Sequence, residues 1–236
     1  GTITSTVSAN TTAGFSIVSW TGDGSASSTV GHGLGSSGID MLITKNRDNG
    51  SSNWYTKHKD LASDNVLLLD STTGQFSNIG STWGGLDNLS ASTVFGFDAG
   101  SSGVRANLSG EKQIAYCFKS IKGYSKFGSY TGNGSTDGVF CFTGMRPAWI
   151  MWKKTSSTAN WAIRDNKMDP HNPSDNNLFA NLSDAESSSN DIDFLSNGFK
   201  LRTAGSNWNS SGATYIYMAF AENPFVSSVG IPCTAR

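Results

Sequence analysis

Two tryptophans stand out by their surroundings. Trp83 lies in Ser81-Thr82-Trp83-Gly84-Gly85, and Trp208 lies in Ser206-Asn207-Trp208-Asn209-Ser210. A large apolar ring among small polar residues is seldom there for packing alone. Its face can stack on a sugar ring or pack on a neighbouring subunit, while hydroxyl and amide neighbours exchange hydrogen bonds with sugar hydroxyls. Trp83 and Trp208 are therefore the candidate ligand-binding residues. Asp165, Asp169 and Asp175 crowd one stretch with Pro170 and Pro173. Their oxygens are of the kind Ca²⁺ takes, but the spacing matches no calcium loop, so they are only weak metal candidates and no cofactor is expected. His32, His58 and His171 are too dispersed for a zinc site.

Catalytic patterns are missing. Glycoside hydrolysis needs two carboxylates about 5 to 10 Å apart, and no Glu-x-Asp-x-x-Glu strand motif occurs. No Gly-x-Ser-x-Gly elbow is present. Gly33-Leu34-Gly35-Ser36-Ser37-Gly38 fits the dinucleotide fingerprint in letters only. An apolar strand pattern follows it instead of a helix, so it reads as a turn. The expectation is a protein that is not an enzyme.

The elements that position these residues are announced by an internal repeat. Phe15-Ser16-Ile17-Val18-Ser19-Trp20-Thr21-Gly22-Asp23-Gly24-Ser25 returns as Tyr124-Ser125-Lys126-Phe127-Gly128-Ser129-Tyr130-Thr131-Gly132-Asn133-Gly134-Ser135. Met41–Lys45 answers Trp149–Lys153, Asn53-Trp54 answers Asn160-Trp161, Gly96-Phe97 answers Gly198-Phe199, and Ala115–Phe118 answers Tyr217–Phe220. The offset drifts from about 110 to about 102 residues, too long for a solenoid unit and suited to two copies of one small domain. The Asn-Trp pair, kept in both copies, reads as a core tryptophan.

Composition fits strands. Of 236 residues, 27 are Gly and only 15% are charged, and Glu occurs only at Glu111, Glu186 and Glu222. Short alternating runs separated by Gly/Ser/Asn turns imply an all-β protein: two tandem antiparallel β-sandwich domains of jelly-roll or lectin-like layout, arising from duplication. The expected division is 1–14 as linker or edge strand, 15–120 as copy 1, 121–225 as copy 2 and 226–236 as an extended tail. A net charge of −1 without a basic stripe excludes a nucleic-acid partner. No run of about 18 apolar residues exists, so no membrane insertion is expected. Cys117, Cys141 and Cys233 cannot all pair, and the first two sit in apolar runs as buried thiols, with a Cys117–Cys141 bridge the alternative. Asn-x-Ser/Thr triplets at Asn10, Asn49, Asn88, Asn107, Asn133, Asn181 and Asn209 are what an Asn- and Ser-rich chain produces by chance.

Several stretches carry a resemblance. Trp20–Ser25, Gly31-His32-Gly33-Leu34-Gly35, Gly123–Ser135, Thr143-Gly144-Met145-Arg146-Pro147-Ala148, Tyr215–Phe225 and the ending Gly230–Arg236 are similar to a repeated C-terminal domain of tail-fibre and appendage proteins of tailed bacteriophages, mostly aquatic. The resemblance runs from about residue 13 to 236 and departs at Cys233, where Thr is common, and at Ser36–Ile39, where a Pro is often found. It implies an extracellular virion protein, in contact with other virion proteins, that contributes to host recognition as a homo-oligomer, a trimer by analogy, while the low charge, the Ser/Thr/Asn content and the loop tryptophans make a host-surface glycan the expected partner. It implies no catalytic residue. The alternatives are a spacer or decoration module without ligand, and a polysaccharide depolymerase.

Overall fold

The computed structural model describes residues 1–25, 27–62, 65–77, 89, 93–97 and 106–224, with Asn190 and Asp191 described by backbone alone. It is an all-β structure of antiparallel sheets. The chain divides into two compact units, one of Gly1–Asp70 with Gln75–Lys119, the other of Ser71–Gly74 with Ser120–Arg236. The boundary between Lys119 and Ser120 adjoins the one read from the repeat. The grouping of Ser71–Gly74 with the second unit was not anticipated. The tail 226–236 lies outside the described residues.

In the first unit, β1 (Ser5–Asn10), β2 (Phe15–Thr21), β4 (Met41–Asn46), β5 (Tyr55–His58), β6 (Asn65–Leu68), β7 (Phe76–Ser77) and β9 (Lys112–Phe118) form a sheet in the order β1-β2-β9-β4-β5-β6-β7. β3 (Thr29–Gly31) and β8 (Val94–Gly96) form a separate two-stranded ladder. The N-terminal stretch is an edge strand: Ser5–Asn10 pairs residue by residue with β2. Alternation decides what faces inward. Val18 and Trp20 of β2, Ala115 and Cys117 of β9, Leu42 of β4 and Tyr55 of β5 meet Val30 of β3 and Phe95 of β8 in one core.

The second unit holds β10 (Ser125–Thr131), β11 (Phe140–Phe142), β12 (Pro147–Lys154), β13 (Ala162–Asp165), β14 (Ser174–Phe179), β15 (Ser187–Leu195), β16 (Gly198–Leu201) and β17 (Thr214–Ala221). Their order is β10-β17-β12-β13-β14-β15-β16-β11. The run β10-β17-β12-β13-β14 corresponds to β2-β9-β4-β5-β6. The sheet curls on itself: Cys141, Ile192, Phe194, Phe199 and Leu201 from one end pack with Tyr130, Ile150, Trp152, Tyr215 and Tyr217 from the other. Ser196 and Asn197 turn β15 into β16, so the two strands form a hairpin.

The three glycines Gly33, Gly35 and Gly38 all have positive φ and lead into β4, as a turn requires. Cys117 and Cys141 are buried free thiols, each in the core of its own unit. Burial pushes both up to about 12, so neither is a reactive thiolate at neutral pH.

Candidate functional site

The two sequence-predicted tryptophans part company. Trp83 lies outside the described residues. Trp208 is a core residue, 4% exposed, and this corrects its reading as a stacking ring on a surface loop. Ser206–Asn209 form the single helical turn α1, closed by Trp208 and Asn209 amides donating to the Gly205 carbonyl at 3.0 and 2.8 Å. That turn swings the indole inward, edge-on to Trp152 with centroids 4.8 Å apart. The guanidinium of Arg164 sits 5.5 Å from its ring centre. No face of Trp208 is left for a sugar. Of the paired Asn-Trp residues, Trp161 is fully buried and Trp54 is half-buried, stacked on Tyr116.

The aspartates serve local structure. Asp165 accepts the amides of Lys167 and Met168. Asp169 accepts from the Asp175 and Asn176 amides, the Ser174 hydroxyl and the Asn176 side chain. Burial alone would raise its carboxyl, but these donors and nearby Arg164 hold it below the usual range. Among the described residues no three His, Cys, Asp or Glu side chains come together as metal ligands. His32 and His58 are buried, each accepting a backbone amide at Nδ1, from Leu34 and Asp60.

The repeated Thr-Gly-Asx-Gly-Ser turn is held by a residue the sequence reading passed over as a chance triplet. Asn107 is wholly buried, and its Nδ2 donates to Asp23 Oδ1 at 2.8 Å and to the Ser25 carbonyl at 2.9 Å. Asn209 does the same in the second unit, donating to Asn133 Oδ1 at 2.7 Å and to the Ser135 carbonyl at 2.9 Å. The signal was present as a second repeat, Asn107-Leu108-Ser109-Gly110 against Asn209-Ser210-Ser211-Gly212.

Ligand-ready aromatics lie elsewhere. Phe140 is 43% and Phe142 63% exposed, on β11, the terminal strand of its sheet. Their sequence signal was an alternation, Phe140-Cys141-Phe142, in which Cys141 points into the core and both rings point out. Strand geometry spaces two such rings by roughly 6.5 to 7 Å. Cross-strand pairing sets Phe142 beside Gly198 and Leu195, and Phe140 beside Lys200 and Asp193. Gly198 is required here: a Cβ at that position would strike the Cys141 carbonyl and lie 2.9 Å from the Phe140 ring. The Phe140 ring thus rests on bare backbone, and together with the exposed Phe142 it forms an apolar platform.

Charged groups border the platform. Lys200 Nζ lies 2.7 Å from Asp137 Oδ1, and Arg202 Nε lies 2.5 Å from Asp193 Oδ2. The hydrogen bond and charge of Lys200, aided by Arg202, hold the Asp137 carboxyl below its ordinary range. Ionised carboxylates accept from hydroxyl groups, and the Lys and Arg groups donate. In the first unit the two-stranded ladder places Thr29 and Gly31 on either side of buried Val30, so among the described residues that ladder carries no counterpart of the two exposed rings.

An all-β frame of antiparallel sheets with an exposed aromatic platform and an ionic border defines the class. The chain belongs to the family described as Domain of unknown function (DUF7483), whose model matches residues 1–224 and so spans both units. No curated protein and no solved structure matches it.

Proposed function

We propose that this protein is a distal tail-fibre or appendage module of a tailed-phage virion that binds host-surface carbohydrate at the Phe140–Phe142 platform. The observation that carries this reading is the pair of exposed rings with hydrogen-bonding groups at their edge. Apolar C–H faces of a sugar stack on the rings, while Asp137, Lys200 and Arg202 exchange hydrogen bonds with its hydroxyls. Low affinity per site suits a module displayed in several copies, since linked sites gain avidity without new contacts. The corresponding strand orders of the two units, with the repeated turn clasp, support duplication of one jelly-roll-like sandwich. The reading is of a binding module in the extracellular virion, acting without catalysis and assembled with other virion proteins.

The test is attachment of the labelled chain to a panel of aquatic bacteria, with and without periodate oxidation of surface sugars. Attachment lost after periodate, and lost in Phe140→Ala with Phe142→Ala at unchanged melting temperature, is the expected result. Attachment that survives both treatments would sink the proposal.

A second reading is favoured by one observation: the platform lies on a terminal strand, whose open edge suits pairing with another copy. The module is then a spacer. Loss of oligomer in the same double variant, without any effect of periodate on wild-type attachment, selects it.

A further inference from the structure

The first unit carries a depression of about 270 Å³ on the sheet surface between β1, β2 and β9. Arg47 and Lys112 reach it, and Thr4, Thr6, Ser19 and Thr21 supply hydroxyls. Register explains the convergence. Thr6 lies opposite Ser19, and Thr21 lies opposite Lys112. The amide of Arg47 donates to the Lys112 carbonyl at 2.8 Å, so the two cationic side chains leave neighbouring backbone. Among the described residues no carboxylate lines the depression. The adjacent Asp48 has one oxygen, Oδ2, accepting the Lys112 amide at 2.7 Å. Among the described residues neither Arg47 nor Lys112 forms an ion pair.

We infer that this depression binds an anionic monosaccharide unit, a sugar bearing a carboxylate or a phosphate. The two cations receive the charged group, Arg47 in two-pronged fashion and Lys112 as a point charge. The ring of hydroxyls both donates to and accepts from sugar hydroxyls. The volume approaches the small end of ligand pockets, enough for one sugar ring rather than a chain. A neutral sugar leaves both cations without a counter-charge, so the depression selects for charge. The inference does not rest on the Phe140–Phe142 platform, which belongs to the other unit.

The experiment is calorimetric titration of the full chain with glucuronate, glucose 6-phosphate and glucose, with acetate and inorganic phosphate as bare anions. At low salt at least one anionic sugar binds about tenfold or more tightly than glucose, with the weaker of the two identifying the disfavoured charge. Raising salt to about 1 M, where screening acts within about 3 Å, weakens that binding. Arg47→Gln with Lys112→Gln reduces binding of the anionic sugar to the level of glucose. Equal binding of glucose and both sugar anions overturns the inference, as does binding that survives the double glutamine variant. Acetate or phosphate binding as tightly as its sugar counterpart also overturns it, by reducing the depression to a bare anion patch. So does absence of binding by a chain with wild-type melting temperature.

Discussion

Asn107 and Asp23 lie 84 residues apart in the chain, yet the buried amide of Asn107 donates to the Asp23 carboxylate at 2.8 Å while its own backbone carbonyl accepts the Gly24 amide at 2.8 Å. Asn209 repeats the clasp on Asn133 and Gly134. Both clasps fix the last inward residue of a strand, Trp20 or Tyr130, at the end of a core.

Removing a clasp strands buried partners. Asn209→Ala deletes donors to Asn133, Ser135 and Thr203 and leaves the Asn133 amide unmatched. A loss of about 2 to 3 kcal/mol is expected. Urea denaturation followed by tryptophan fluorescence measures it. A shift below about 0.5 kcal/mol, the level of ordinary surface changes, would contradict the clasp.

Trp208→Ala acts on stability first. Its indole fills the core against Trp152 and Phe179 and caps the fully buried Arg164, whose guanidinium also donates to the Ser174, Asp175 and Ser189 carbonyls. The expected cost is about 3 to 5 kcal/mol. Phe142→Ala, by contrast, leaves thermal stability within the small range of surface substitutions. Side-by-side melting curves decide the assignment, and the reverse ranking would refute it.

Lys153 introduces a pH dependence on the alkaline side. It is fully buried, donating to the Thr72 and Lys154 carbonyls at 3.0 Å each. Burial, with Lys154 nearby, lowers its ammonium from 10.5 to about 8. Between those values the unfolded chain binds the extra proton, so stability rises with pH from about 8 to about 10.5. Below about 8 both states are protonated and the penalty is complete. Lys153→Met should flatten this rise relative to wild type in melting temperatures taken from pH 7 to 10.5. Parallel curves would refute it.

Asp169 gives the opposite dependence on the acid side. Its carboxyl lies below its ordinary value of 3.8 in the folded state. Its contribution is therefore present above about pH 4 and is lost as pH falls through the lowered folded value. Asp169→Asn should destabilise at pH 7, because the amide has one acceptor oxygen where the carboxylate has two and carries no charge to face Arg164. The gap from wild type should narrow below pH 4. A gap that stays constant from pH 7 to pH 3 would exclude the carboxylate as its source.

Local patterns in the chain determined the strands and the turns. Short aromatic and apolar runs marked β2, β9, β10 and β17, and glycines marked the breaks, because both are properties of a residue and its immediate neighbours. The repeat showed that strand signals recur in the two halves, while the shared order of five strands, β2-β9-β4-β5-β6 and β10-β17-β12-β13-β14, came from the tertiary structure. Alternation separates two faces of a strand but does not say which is covered. Phe140 and Phe142 therefore looked like any apolar strand, and only the fold, which turns Cys141 into the core, leaves both rings in solvent. Trp208 looked like a surface ring because its neighbours are polar, and only the one-turn helix and the distant Trp152 and Arg164 draw it inward. Asn107 and Asn209 were ordinary polar letters until the fold removed water from them and set the turn opposite. Burial and hydrogen-bond partnership arise between residues far apart in the chain, so the tertiary structure alone decided which aromatic rings face solvent and which amides hold the turns.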